Sequence, residues 1–339
     1  MCSTENDTLL EVRNLKCYFD DNVGILKKNS RIVRAVDGIS FNIKKGEVYG
    51  LVGESGCGKS TTGRAILDLI PKSGGSLIFN NKLIFDKEKN YSIKKGDFKD
   101  LRKNMQMIFQ DPYSSLDPHM TVGNTIKQGI IKNKVVSRKE CNEETVKILE
   151  LCGLRGEDIN KYPHEFSGGE RQRIGIARAL AVRPKFVICD EPTSALDVSI
   201  QAQILMLMDK LKREMDLTYL FISHNLSLIN YFCDRVGVMY LGKIVEEANC
   251  EELFSNPIHP YTKCLISSIP KIHPKEQKER LRLNEDISKC DSYVSGCKLS
   301  SRCPYLNKKC VSNEPNLLEV KQDHFVACHN IIEIKNTTK

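Results

Sequence analysis

Apolar and polar residues alternate from Thr8 to Phe19, and the alternation resumes at Ile32–Val36 and Ile39–Ile43 after a polar excursion over residues 20–30. A two-residue period turns one face of each segment toward a core. These segments therefore predict strands of an antiparallel sheet, with 20–30 as a surface loop and Lys45-Gly46 as a turn. Val48–Val52 is continuously apolar, as a buried strand is, and Thr62–Leu67 opens a helix expected to run to about Ile70. Strand-like runs return at Ser76–Phe79 and Leu83–Phe85, followed by a basic, loop-rich stretch. Met105–Phe109 is then apolar up to Gln110, and Pro112 breaks it. Residues 116–165 read as mostly helical, most clearly over Glu143–Cys152, which ends at Gly153. Further on the pattern gives a helix over Ile174–Leu180 and an apolar strand over Pro184–Asp190. A helix carrying Ile204, Leu205, Leu207, Met208 and Leu211 follows, then a strand over Tyr219–Ser223 and a hairpin over 237–245 turning at Gly242.

Strands alternating with helices define an α/β chain, and 339 residues with 40% hydrophobic content suffice for a sizeable core plus an appendage. The net charge of +8 comes from scattered lysines, not from one basic block. It suits an anionic ligand, a cytoplasmic membrane face or simply a solvated surface. No run of about 18 apolar residues is present, and the amino end lacks a secretory pattern, so residence in the cytoplasm is expected. Most of the 14 cysteines sit singly in apolar contexts, where a free thiol behaves as a small hydrophobe. Five fall in the last 50 residues and call for another account.

The chemistry begins where the Val48–Val52 strand gives way to Gly53-Glu54-Ser55-Gly56-Cys57-Gly58-Lys59-Ser60-Thr61 and then to a helix. The spacing G-x-x-x-x-G-K-S cradles phosphates. Its glycines let backbone N–H groups converge on phosphate oxygens, Lys59 reaches the outer phosphates, and the Ser60 hydroxyl can ligate magnesium. The helix N-terminus adds partial positive charge at the same place. Tyr18 and Phe19 are candidates to stack on a purine base, although neighbours in a strand face opposite sides and only one can do so. Gln110 ends a strand. Ser167-Gly168-Gly169 opens a helix as a second anion-binding nest. Asp190 and Glu191 end a buried strand, where one carboxylate can hold magnesium and the next can polarise a water. His224 ends another strand, placed to contact a terminal phosphate. The chain has one phosphate loop, one Ser-Gly-Gly motif and no internal repeat.

Together these motifs resemble the nucleotide-binding subunits of ATP-binding cassette (ABC) transporters, over roughly Leu9 to Leu253 and in family order. The resemblance implies a RecA-like P-loop NTPase core with an antiparallel β subdomain and an α-helical signature subdomain at about 111–180. It makes Gly53–Thr61 the Walker A loop and Gln110 the glutamine loop. Ser167–Gly169 becomes the signature, and Val187–Glu191 becomes Walker B with Glu191 as catalytic glutamate. Ser194–Asp197 matches the D-loop, His224 the switch histidine and Tyr18 the adenine-stacking aromatic. Two positions depart from the family pattern: Glu170 stands where glutamine is usual, and Asn225 where aspartate is common. Both are expected to tune nucleotide contacts without abolishing activity. The implied chemistry is ATP hydrolysis with Lys59 on the outer phosphates, and with Ser60, Asp190 and Gln110 organising Mg2+.

Asn256–Lys263 looks like the segment that closes the cassette in the oligopeptide and dipeptide importer branch, of the OppF and DppF kind. The implied domains are a cassette at 8–269 and an extension at 270–339, with Lys271–Lys289 as linker or helix. The extension carries Cys297, Cys303, Cys310 and Cys328, with five, six and seventeen residues between them. In some relatives four such cysteines hold an iron–sulfur cluster of the 4Fe–4S type. Zinc is the competing metal, a metal-free reduced tail is the third reading, and Cys290 fits no slot. A single signature implies that the site is completed by a second cassette, of the OppD or DppD kind or a second copy of this chain. Two transmembrane permease subunits and an extracellular substrate-binding protein complete the implied assembly, at the cytoplasmic face of the membrane. A nickel or other small-solute importer is the near alternative. A soluble ABC ATPase acting on nucleic acid or ribosomes is the distant one, and no nucleic-acid partner is expected. Cys57, within the loop, is expected to make ATPase activity sensitive to a bulky thiol reagent, with ATP protecting.

Overall fold

The computed structural model describes residues 7–21, 31–94, 96–269, 283 and 295–331. Residues 22–30 of the expected loop over 20–30, Cys290 and all of the expected linker except Leu283 lie outside the described residues. The chain divides into two compact units. One comprises Met1–Leu9, Ile43–Val48 and Ser92–Ile222, and the other Leu10–Asn42, Tyr49–Tyr91 and Ser223–Lys339.

In the first unit, strands Met105–Ile108, Phe186–Asp190 and Thr218–Ser223 lie parallel, Met105 opposite Phe186 and Phe186 opposite Thr218. Parallel strands need long crossovers, and the eighteen-residue helix Val198–Met215 supplies one of them, burying Ile204, Leu205, Leu207, Met208 and Leu211. Phe186–Asp190 is buried along its whole length, which is why it reads as an unbroken apolar run and not as an alternating one. Helices Val122–Lys132, Cys141–Leu151 and Gly168–Leu180 bury Ile126, Ile130, Ile148, Leu149 and Ile174. Arginines fasten this helical part. Arg173 donates to the Cys152 carbonyl (2.9 Å), Arg171 to the Pro163 carbonyl (2.8 Å) and Arg178 to that of Ser115.

In the second unit, Tyr49–Val52 runs parallel to Arg235–Val238, and strand Arg235–Tyr240 continues through a hairpin into Lys243–Asn249. The hairpin turns at Leu241 and Gly242, both with positive φ (42° and 82°), at the expected position. Strand His324–Val326 of the extension then pairs with Lys243–Asn249, Val326 opposite Glu246, and Leu318–Lys321 pairs with His324–Val326. The cysteine-bearing tail is thus built onto the sheet. Thr8–Asp21 pairs antiparallel with Gly74–Phe79, and that strand with Lys82–Asp86. Glu246, fully buried, accepts from the N–H groups of Ile258 (2.7 Å) and His259 (3.0 Å) and lies 2.8 Å from His324 Nε2. One carboxylate therefore ties the closing segment and the extension to the same strand.

Three elements differ from expectation. The helix after the phosphate loop is Lys59–Ile66, ending four residues before the expected Ile70: Asp68 takes a left-handed conformation (φ 56°), and the Ala65 carbonyl accepts from Asp68 N–H (3.1 Å) and from Lys72 Nζ (3.4 Å). Within the stretch read as loop-rich stands a helix, Phe98–Asn104, which buries only Leu101 and so leaves no periodic signal. The first strand extends through Asp20 and Asp21, into what reads as loop.

Candidate functional site

The candidate residues are carried by both units. In the second, the Val48–Val52 strand delivers the chain into the phosphate loop, whose shape only glycine permits at two positions. A Cβ on Gly53 (φ 158°) would lie 2.1 Å from the Met239 carbonyl oxygen, and one on Gly58 (φ 108°) 2.1 Å from that of Ala35. Lys59 is 5% exposed, and its Nζ donates to the carbonyls of Gly53 (2.8 Å) and Glu54 (2.9 Å). Its charge is thereby held at the centre of the loop. Ser55 and Gly56 are exposed, and Ser60 and Thr61 stand half-buried in the first turn of the helix. The Thr62 hydroxyl donates to the Gly58 carbonyl (3.0 Å) and fixes the entry to that turn. Cys57 is 3% exposed, 3.6 Å from Lys59 Nζ, and burial pushes its thiol pKa up against the opposing lysine charge. Thiolate chemistry at Cys57 is therefore slower than its place in the loop suggests.

His224 directly follows the strand Thr218–Ser223 and is exposed. Asn225 caps the next helix, its Oδ1 accepting from Ser227 (3.0 Å) and Leu228 (3.4 Å) N–H groups. An amide oxygen accepts at this capping position as a carboxylate would, without a charge. Tyr18 donates its hydroxyl to Asp37 Oδ1 (2.6 Å), with the Arg34 guanidinium 5.6 Å from its ring centroid. Burial, followed by the bond to Asp37, pushes the phenol up to about 12. Burial alone would raise Asp37, but bonds from Tyr18 and Lys298 and the charges of Lys298 and Lys243 hold it at about 2.

In the first unit, Gln110 lies just past strand Met105–Ile108, and its Nε2 donates to Glu191 Oε2 (3.1 Å). The two polar groups that end separate strands are thus in direct contact. Asp190 is buried at the end of its strand, and Glu191 follows with φ 48°, a left-handed conformation that a non-glycine residue adopts at a cost. The Glu191 carbonyl accepts from Ser194 N–H (3.2 Å), and Gln201 Nε2 donates to the carbonyls of Thr193 and Leu196 (both 3.0 Å). This shapes the turn Ser194–Asp197, and Asp197 stands at the N-cap position of helix Val198–Met215 without a side-chain capping bond. Ser167 caps helix Gly168–Leu180 in a capping box, Glu170 Oε2 accepting from the Ser167 N–H (2.9 Å) and hydroxyl (2.7 Å). A Cβ on Gly169 would meet Ile200 Cγ2 at 2.7 Å, so the Ser-Gly-Gly nest packs on the residues that follow Asp197.

The four tail cysteines are neighbours. Burial pushes Cys297 up to about 12, and Cys310, Cys328 and Cys303 reinforce the rise; Cys328 is pushed up to about 11 by burial. Among the described residues, however, no three His, Cys, Asp or Glu side chains are gathered closely enough to hold a metal ion. The thiols do not form a ligand cage as they stand, and the arrangement lends no support to an iron–sulfur cluster or zinc.

Several residues of this region carry no sequence signal. Arg302 pairs with Glu54 of the loop (3.1 Å), Lys298 with Asp37 (2.9 Å), and the Tyr261 hydroxyl accepts from Glu54 N–H (2.8 Å). Tyr261 stands in the closing segment, and Lys298 and Arg302 stand beside cysteines of the extension, but nothing in the sequence pairs them with Asp37 or Glu54.

The family described as "ABC transporter" matches residues 36–194, and the one described as "Oligopeptide/dipeptide transporter, C-terminal region" matches residues 245–310. Among curated proteins, the oligopeptide transport ATP-binding protein AppF of Bacillus subtilis is 45% identical, over 97% of this chain and 99% of that protein. The oligopeptide transport ATP-binding protein OppF of the same organism is 46% identical over 95% and 96%. Among solved structures, cbiO1 of Clostridium perfringens, part of the ABC transporter complex cbiONQ, is 28% identical. It has a TM-score of 0.62 and covers 74% of this chain and 92% of that one. A post-hydrolysis dimer of the ATP-binding cassette MJ0796 with ADP and Pi is 26% identical at a TM-score of 0.61, over 71% and 99%. Similarity of this extent runs through the cassette and on into the cysteine-bearing tail, and by it the chain belongs to the ATPase subunits of ABC transporters, in their oligopeptide/dipeptide branch.

Proposed function

We propose that this subunit hydrolyses ATP to power the import of oligopeptides or dipeptides through a membrane ABC transporter. The observation that carries the reading is the likeness to oligopeptide transport ATP-binding proteins along 97% of the chain, tail included. In the proposed mechanism Lys59 and the N–H groups of Gly53–Thr61 bind the phosphates, Tyr18 stacks on adenine, and His224 steadies the terminal phosphate. Glu191, positioned by Gln110, orients and polarises the attacking water. The Ser60 hydroxyl, Asp190 carboxylate and Gln110 amide are hard oxygen donors of the kind that suits Mg2+, which when bound neutralises developing phosphate charge. Ser167, Gly168, Gly169 and Asp197 contribute to a nucleotide held by a second cassette, an OppD- or DppD-like subunit or another copy of this chain. Two permease subunits and an extracellular binding protein complete the assembly at the cytoplasmic membrane face.

Glu191→Gln is expected to lower ATPase turnover by at least about a hundredfold while leaving ATP binding intact. Full turnover in that variant would remove Glu191 from the chemistry. With its permeases, partner cassette and binding protein reconstituted, the subunit is expected to show ATPase activity stimulated by peptide. Stimulation by nickel and not by peptide would overturn the cargo. The iron–sulfur reading of Cys297, Cys303, Cys310 and Cys328 rests on the resemblance to relatives alone. Iron, sulfide and zinc analysis of anaerobically purified protein decides between cluster, zinc and free thiols.

A further inference from the structure

We propose that two cations of the cysteine-bearing extension, Lys298 and Arg302, are positioning residues for the nucleotide site: Lys298 holds Tyr18 through Asp37, and Arg302 holds the phosphate loop through Glu54. The inference rests on reading Tyr18 and Gly53–Thr61 as that site.

The Lys298 side chain is 8% exposed, and its Nζ donates to Asp37 Oδ2 (2.9 Å) and to the Leu241 carbonyl (2.8 Å). The other Asp37 oxygen takes the Tyr18 hydroxyl (2.6 Å). One carboxylate, gripped from both sides, thus fixes the phenol and with it the plane of the ring. At the other end, Arg302 Nη1 lies 3.1 Å from Glu54 Oε2 and Nη2 3.5 Å from Oε1, with the guanidinium 5.9 Å from the Tyr240 ring centroid. Glu54 also donates its N–H to the Tyr261 hydroxyl and lends its carbonyl to Lys59. Side chain, N–H and carbonyl are all held, so the lysine that meets phosphate hangs from a residue the extension keeps in place. A loop and a ring ordered in advance lose less freedom when a ligand binds. Screening is weak for pairs as sheltered as Lys298 with Asp37. Lys298 directly follows Cys297 and Arg302 directly precedes Cys303, so the fold of the cysteine module sets the place of both cations.

The test is titration of the full chain with Mg-ATP. Lys298→Met and Arg302→Met are each expected to weaken binding about tenfold, equivalent to about 1.4 kcal/mol. KM for ATP should rise while kcat stays within about twofold, because neither residue touches the water-activating groups. Tyr18→Phe with Lys298→Met, and Glu54→Gln with Arg302→Met, should lose no more than the single variants, since each pair cuts one link. Lys298→Arg should restore most of the affinity. Wild-type affinity in both methionine variants, or losses that simply add in both cycles, overturns the proposal. Should a methionine variant not fold, Tyr18→Phe and Glu54→Gln sever the same links from the other side, and wild-type affinity in both overturns it equally. Lys59→Ala is the control: undiminished Mg-ATP binding there would instead unseat the reading of Gly53–Thr61 as the nucleotide site.

Discussion

Cys57 and His259 show how burial decides the chemistry of a single side chain. Cys57 stands between two loop glycines, yet its thiol is nearly inaccessible and its pKa is raised. A bulky maleimide is therefore expected to modify it far more slowly than an exposed thiol, with ATP slowing the reaction further. Mass spectrometry of the Cys57 peptide against time, with and without ATP, checks this, and rapid labelling unaffected by ATP would contradict it. His259 caps helix Pro260–Ser267, its Nδ1 accepting from Tyr261 N–H (3.2 Å). Burial lowers its pKa from 6.5 to about 4, against the opposing Glu246 charge. Between those values the unfolded chain binds the proton and the folded one does not, so stability rises with pH through this window. The contribution is complete above 6.5 and lost as pH falls toward 4, on the order of 3 kcal/mol in all. His259→Asn retains a capping acceptor without the titration, and its melting temperature should fall less than that of the wild type between pH 7 and pH 4.5.

At the scale of elements, the phosphate loop is set by its neighbours as much as by its own residues. Gly58→Ala would drive a methyl group into the Ala35 carbonyl at a positive φ, and the expected cost is about 1–3 kcal/mol with loss of nucleotide binding. Thermal unfolding and ATP titration measure both, and an unchanged melting temperature would mean that the loop relaxes. The positions of Gln110, Asp190, Glu191 and His224 at or just past strand ends were legible in the sequence because each follows an apolar run, and those of the loop and Ser167–Gly169 because glycines precede a helical pattern. Helix Phe98–Asn104 was not legible, since one buried leucine makes no period. Nor was the ion pair Arg302–Glu54, which joins residues 248 positions apart through charges that any surface could carry. The capping role of Glu170 follows from S-x-x-E spacing, a local rule, and could have been read directly.

At the scale of the whole molecule, the sequence suggests a cassette at 8–269 followed by an extension at 270–339, and the described residues 295–331 share a compact unit with the phosphate loop. No described helix is long and apolar enough to cross a membrane. The extension contributes strand His324–Val326 beside Lys243–Asn249, and outside it lies Leu318–Lys321, a short strand bearing Glu319 and Lys321. Charged, short outer strands discourage edge-to-edge pairing between molecules. A chain truncated before residue 295 would leave the largely buried strand Lys243–Asn249 without that cover, its N–H and C=O groups open as a template. Such a protein should form sheet-rich aggregates at concentrations where the full chain stays monodisperse, as light scattering and infrared spectra would reveal. Beyond its contacts with the loop, the tail would then act as a guard against self-association, a duty it discharges whether or not nucleotide is bound.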